Sequence, residues 1–235
     1  MQPTHASLRI AVDIGGTFTD MACFDESNGQ ISFGKALSTH GHLHDGIQNT
    51  LDGAGVDLTR GYLFLHGSTI AINTLLERNG ANTALLITEG FRDIYEIGRV
   101  NRPDAYNLFF SKHVPLVPRS QRHEVSERLR ADGSLHKPLD EDRVRVLARQ
   151  LKAENIEAVA VLLLHSYRNP DHERRVKAIL QEEIPGAFVC ASHELSQEYR
   201  EFERVSTAVA NAYVGPRVSA YLGELEEHLE EKGFD

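Results

Sequence analysis

Eight consecutive residues near the start of the chain, Asp13-Ile14-Gly15-Gly16-Thr17-Phe18-Thr19-Asp20, combine the groups that phosphate chemistry requires. Two adjacent glycines let backbone N–H groups approach a phosphate with no Cβ in the way, and the hydroxyls of Thr17 and Thr19 add donors. Asp13 ends an apolar run and is placed to hold the water shell of Mg²⁺, which prefers carboxylates together with phosphate oxygens. Asp20 is a second candidate, as an acid that orients water, although strand alternation suits it equally as a structural cap. The run is neither a dinucleotide fingerprint nor a Walker loop, since Gly-x-x-x-x-Gly-Lys-Ser/Thr is absent. The competing interpretation is a Gly-Gly hairpin with incidental acids.

A second candidate is His66-Gly67-Ser68-Thr69, which follows a predicted strand and opens a predicted helix. Its N–H groups and the Ser68 and Thr69 hydroxyls would form an anion-ready helix N-terminus, suited to a phosphate or a substrate carboxylate. An ordinary N-cap accounts for the same residues. Asn73, one turn on, projects near the same mouth. Arg92, Asp93, Arg99 and Arg102 lie around a Gly-rich loop where a substrate could meet them, and equally suit surface ion pairing. The charge run Glu198 to Arg204 fits a solvated helix face. His40, His42 and His44 with Asp45 share one face of an extended segment and are candidate metal ligands, but Gly41 interrupts them and no supporting partner is identifiable. Without Cys-x-x-Cys, His-Glu-x-x-His or Gly-x-Ser-x-Gly, redox, zinc-protease and serine-hydrolase chemistry lack support.

The elements that must position these groups follow from hydrophobic period and turn signals. Leu8 to Val12, Met21 to Phe24 and Ile31 to Leu37 predict an antiparallel three-strand meander, with Asn28-Gly29 as its second turn. Their near-continuous apolarity predicts strands covered on both faces. Alternating helices and strands follow: helix 45–54, strand 62–65, helix 69–78 closed by Asn79-Gly80, and strand 83–88. From Arg99 to Leu139, prolines and mixed polarity predict an irregular excursion with one hairpin around Asp132-Gly133. Val144, Leu147, Ala148 and Leu151 then mark a helix capped by Asp140. Strand 158–164 and a helix with Asn169 as N-cap and Pro170 at its first position come next. Strand 187–191 leads to two closing helices, the second presenting Val218, Leu222, Leu225 and Leu229. The class is α/β.

The chain has 235 residues, 41% hydrophobic and 25% charged, which is an ordinary globular composition. A formal charge of -9 argues against nucleic acid or an anionic membrane as partner. Cys23 and Cys190 sit in apolar runs and behave as small buried hydrophobes. The N-terminus lacks a signal-peptide pattern, and no run approaches the roughly 18 apolar residues of a membrane span, so a cytoplasmic location is expected.

Together, Asp13 to Asp20, His66 to Thr69 with Asn73 to Gly80, Gly90 to Asp93 with Glu96 to Arg99, Leu164 to Pro170, and Glu198 to Arg204 with Asn211 to Val214 resemble the N-terminal region of the hydantoinase A/5-oxoprolinase family. That family belongs to the actin-like ATPase superfamily. The resemblance implies an actin-like (ribonuclease H-like) domain over residues 1–235, with an irregular excursion at about 99–139 and the second half of the architecture absent. It implies ATP and Mg²⁺ as cofactors, with Asp13 and Asp20 catalytic and Asp13 on the metal. Gly15, Gly16, Thr17, Thr19, Gly67, Ser68 and Thr69 would bind the nucleotide. The implied activity is ATP-dependent hydrolysis of a cyclic amide through phosphorylation of the amide oxygen, with a hydantoinase B-type partner subunit or domain. The alternatives are the ATP-using subunit of a ketone carboxylase and a truncated, partner-binding scaffold.

Overall fold

A computed structural model describes residues 7–38, 43–99, 104, 106–110 and 114–234. His40, His42 and Arg102 lie outside the described residues, and of His44 only the backbone is described. The chain divides into two units, Met1–Glu77 with Arg217–Asp235, and Arg78–Pro216.

In the first unit the expected meander forms. β1 (Leu8–Ile14), β2 (Phe18–Asp25) and β3 (Gln30–Leu37) pair antiparallel in succession, with Gly29 at φ 73° closing the second turn. β4 (Gly61–Ser68) adds parallel to β1, giving the order β3-β2-β1-β4. One face of this sheet is covered. Ile10, Val12, Ile14 and Met21 pack against Ile47 and Leu51 of α1 (Leu43–Ala54) and against Tyr221 and Leu225 of α7 (Glu201–Glu231).

The other face departs from the expectation of strands buried on both sides. Burial alternates along β1, with Arg9 and Asp13 outward, and Phe33 on β3 is 76% exposed. The run looks continuous in sequence because outward positions carry Ala11, Ala22 and Phe24, which are apolar without being buried. α2 (Ile70–Glu77) follows β4. The left-handed residue after it is Arg78 (φ 52°), not the expected Asn79-Gly80 pair. Gly80 serves close packing instead, because a Cβ there would lie 2.6 Å from the Tyr213 carbonyl oxygen.

The second unit holds an all-parallel sheet of β5 (Thr83–Thr88), β6 (Arg122–Val125), β9 (Ala158–Leu162) and β10 (Phe188–Ala191), in the order β10-β9-β5-β6. Here strands β5 and β9 are buried throughout. α4 (Glu141–Ala153) and α5 (Asp171–Glu183) contribute Val144, Ala148, Leu151, Val176, Ile179 and Leu180 to one core. Val205, Ala208, Val209 and Ala212 of α7 and Tyr95 of α3 (Ile94–Ile97) contribute to another. The Asp140 carboxylate accepts the Arg143 N–H at 3.0 Å, the expected cap. At α5 the cap position is Pro170, and Asn169 accepts the Asp171 N–H from one residue further out.

Strand β6 lies inside the stretch expected to be irregular. It carries no apolar alternation because its buried ends are Arg122 and Val125 with half-buried His123 and Glu124 between them, and the Arg122 guanidinium donates to the Val117 carbonyl at 3.1 Å and to Glu96 at 2.9 Å. The expected hairpin is β7 (Arg128–Leu129) with β8 (Leu135–Lys137), turning at Gly133 (φ 86°). The two closing helices are the one-turn α6 (Ser192–Leu195) and the 31-residue α7, with Pro216 inside it. On α7 Leu222 is exposed rather than buried, and Tyr221 takes its place in the core. Cys23 and Cys190 are buried and free. Among the described residues no helix is long and apolar enough to cross a membrane.

Candidate functional site

The Gly-Gly run lies where expected, on the turn between the first two strands. Gly15 N–H donates to the Phe18 carbonyl at 2.9 Å, closing the turn. Ser38, just after β3, fixes it from the side: its N–H donates to the Thr17 carbonyl at 2.9 Å and its hydroxyl to the Gly15 carbonyl at 2.8 Å. Nothing in the apolar pattern marks Ser38, which acts only through this cross-strand geometry. With the Ser38 proton committed to Gly15, Thr19 donates to Ser38 Oγ at 3.1 Å. Thr19 is fully buried, so it supports the turn rather than facing a ligand. Strand alternation explains this, because Thr19 lies opposite the buried Ile14.

Gly15, Gly16 and Thr17 line a cavity of about 590 Å³ with Ser68, Thr69 and Asn73. The Ser68 hydroxyl accepts the Ile70 N–H at 3.2 Å, as an N-cap does, and keeps its own proton for an acceptor in the cavity. The Thr69 N–H donates to the Ile14 carbonyl at 3.3 Å, and its hydroxyl accepts from Asn73 Nδ2 at 3.2 Å. Two of the amides at this helix start are therefore committed within the protein. A Cβ on Gly16 would sit 3.7 Å from Asn73 Nδ2 and project into the same space. Arg217, Tyr221 and Glu224 of α7 complete the wall. The expected stripe on that helix passes over Tyr221, although its spacing to Val218 and Leu225 places it on the same face.

Asp13 and Asp20 face a different cavity, of about 790 Å³, on the open side of the sheet. They are directly opposite on β1 and β2, and Gly67 of β4 lies beside Asp13, so Lys35, Asp20, Asp13 and Gly67 form one cross-strand row. Asp20 is held by Lys35 Nζ at 2.8 Å, whereas no ion pair joins Asp13 among the described residues. A Cβ on Gly67 would come within 2.9 Å of Asp13 Oδ1, so the glycine makes room for this carboxylate. His66 joins the two regions: it lines the sheet-face cavity while its Nε2 meets the Tyr221 hydroxyl at 2.5 Å. Burial pushes the His66 pKa down, against the opposing pull of the Val12 carbonyl and of Asp13, and burial pushes the Tyr221 phenol up.

The remaining candidates lie in the second unit. Asp93 forms a two-pronged pair with Arg119 at 2.7 and 3.1 Å, and Arg99 pairs with Glu203, as surface ion pairing predicts. Arg92 lines a small cavity with His123 and Arg143. The Glu198 to Arg204 run is not simply a solvated face, because Arg204 is fully buried beside Glu173. Among the described residues no group of three metal-ligating side chains occurs.

A sheet ordered 3-2-1-4, with a glycine turn between its first two strands and a helix after its fourth, defines an α/β domain of the actin-like, ribonuclease H-like class. The chain belongs to the hydantoinase/oxoprolinase family, whose N-terminal region its residues 9–184 match. It is 35% identical to the caprolactamase subunit alpha of Pseudomonas jessenii, over 96% of this chain and 34% of that protein. It is 31% identical to the 5-oxoprolinase of Saccharomyces cerevisiae, over 95% of this chain and 20% of that one. The crystal structure of the ATP-dependent caprolactamase superposes with a TM-score of 0.83 at 33% identity, covering 96% of this chain and 34% of that one. The nucleotide-free structure of acetone carboxylase, from a study of ATP-dependent acetone carboxylation, also gives 0.83, at 29% identity over 97% and 35%. The chain thus spans between a fifth and about a third of the length of these relatives.

Proposed function

We propose that this chain supplies the phosphate-binding part of an ATP-dependent hydrolase of cyclic amides of the hydantoin or 5-oxoproline type. The observation that supports this most directly is the turn Gly15-Gly16-Thr17. It is fixed by Ser38 and opens on a cavity shared with Ser68 and Asn73, while the exposed Asp13 carboxylate lies one rung away against Gly67. In this proposal the turn amides, the Thr17 and Ser68 hydroxyls and the Asn73 amide hold phosphate oxygens, and Asp13 holds Mg²⁺ through water. Such a cradle works by positioning and charge neutralisation. When bound, ATP would supply the phosphoryl group that activates the amide oxygen, leaving as ADP, so that attack of water on the ring carbonyl carbon would cleave the C–N bond and release the group as inorganic phosphate. Asp20, neutralised by Lys35, fits orientation better than proton transfer.

A second reading is the ATP-using subunit of a ketone carboxylase, favoured by the equal superposition on acetone carboxylase. In either case, segments corresponding to the rest of the relatives' length, and a hydantoinase B-type partner, would complete the site. Calorimetry of Mg-ATP binding to the chain and to Asp13→Ala tests the cradle. Absence of binding by the unaltered chain, with partner binding left intact by Asp13→Ala, would favour a scaffold role. Assembled with its partner, the full enzyme should release ADP with hydantoin or 5-oxoproline alone. Release only with acetone and bicarbonate would establish the carboxylase reading instead.

A further inference from the structure

We propose that the second unit carries its own binding site for a small oxyanion, a carboxylate or a phosphate, at the carboxyl ends of β5 and β9. In the order β10-β9-β5-β6, the chain runs from β5 outward to β6 on one side, then returns to β9 and β10 on the other. Connections therefore reverse between β5 and β9, the position at which open parallel sheets hold ligands. A cavity of about 600 Å³ opens there, a volume suited to a small molecule.

Its charges are unevenly spent. Glu127, with a fully buried side chain, is satisfied by Thr88 and by His172 Nδ1 at 2.7 Å. Lys137 is matched by Glu89 at 2.7 Å. Arg128 lies over the Phe91 ring at 4.6 Å, and Arg130 contacts the imidazole of His136 at 3.1 Å, with the Asp132 carboxylate near enough to feel its charge. Among the described residues neither guanidinium forms a direct ion pair with a carboxylate, Asp132 acting on Arg130 only at longer range. Two such guanidiniums match an oxyanion that accepts paired N–H bonds. The third wall is His165, held at φ 61°, a backbone conformation that a histidine adopts at a cost. Its turn is supported from beneath by Arg204, which donates to the Leu163 carbonyl at 2.8 Å and to Ser166 Oγ at 2.6 Å. The turn that sets His165 facing the cavity is thereby anchored in the core.

The test is titration of the 235-residue chain with inorganic phosphate and, separately, with succinate, followed by calorimetry and by NMR of the histidine side chains. Saturable binding of either anion is expected, and the anion that binds more tightly identifies the ligand class. Arg128→Gln with Arg130→Gln should weaken that binding by at least about tenfold, leaving Mg-ATP binding unchanged. His165→Asn, which tolerates the same backbone conformation, should weaken it with no change in melting temperature. Should the double variant unfold, Arg130→Gln alone, at an exposed position, carries the test. Binding of neither anion, or binding that survives all these variants, would overturn the proposal. So would phosphate binding abolished by Thr17→Val but not by Arg130→Gln, which would place the anion in the glycine cradle.

Discussion

The Asp13 carboxylate lies against the bare Cα of Gly67, across one parallel rung of β1 and β4; a methyl group at position 67 would sit 2.9 Å from Asp13 Oδ1. The backbone of Gly67 is not left-handed, so alanine is conformationally permitted there. Gly67→Ala should therefore displace the carboxylate without unfolding the strand. Mg-ATP affinity is expected to fall about tenfold, or about 1.4 kcal/mol. Calorimetry checks the affinity, and an unchanged melting temperature separates displacement from misfolding. Unaltered affinity in a folded variant would remove Asp13 from the nucleotide site.

Gly80 makes the same kind of close approach for a structural end. A methyl group there would meet the Tyr213 ring and lie 2.6 Å from its carbonyl oxygen, which accepts the Ala81 N–H at 2.9 Å. Neither backbone carbonyl nor packed ring can retreat cheaply. Gly80→Ala should destabilise the second unit by about 1–3 kcal/mol, the usual range for overpacking. A urea midpoint indistinguishable from that of the unaltered chain would show that the two segments separate without cost.

Much of this was legible in the sequence, for physical reasons that differ from element to element. The glycine turn, the Asp140 cap and the stripe of α4 are local signals, encoded within a few residues. The near-continuously apolar strands β5 and β9 also announce themselves, because both their faces are buried. What failed depended on partners far along the chain. Thr19 belongs to the same motif as Thr17, yet β1–β2 pairing turns it inward onto Ser38. Arg204 looks like part of a solvated charge run until the Leu163–Ser166 turn closes over it. Strand β6 is hidden because only Val125 of its two buried residues is apolar, the other being Arg122, whose partners lie outside the strand.

Arg204 and Glu173, both fully buried, are 3.7 Å apart and share the hydroxyls of Ser166 and Ser192. Burial alone would raise the Glu173 pKa, but hydrogen bonds from His193, Ser192 and the Leu163 N–H outweigh it and hold the carboxyl below its usual range. Removing one charge leaves the other buried without its counterion. Glu173→Gln or Arg204→Met should each cost about 3–5 kcal/mol of stability by chemical denaturation. The double variant should cost less than the two combined. Single losses below about 1 kcal/mol would mean that the pair is solvated in solution.

The imidazoles of His66 and His123 have their pKa values pushed down chiefly by burial, each in its own unit. A histidine is protonated below about pH 6.5 in the unfolded chain, whereas these two remain neutral further down in the folded one. Between those limits the unfolded state binds more protons, so stability falls as the pH is lowered. The loss begins as the pH drops through about 6.5 and ends once the folded-state imidazoles also protonate. Above that window the two histidines contribute no pH dependence. Urea midpoints at neutral and mildly acidic pH should therefore decline, and His66→Gln combined with His123→Gln should flatten the slope even if it lowers stability at neutral pH. NMR titration should place both imidazoles below the ordinary histidine value. Ordinary values, or a slope unchanged in the double variant, would assign acid sensitivity to other groups. Glu173, whose depressed pKa stabilises the fold only while ionised, would then be the first to consider, but it acts below about pH 4.3, well under the histidine window.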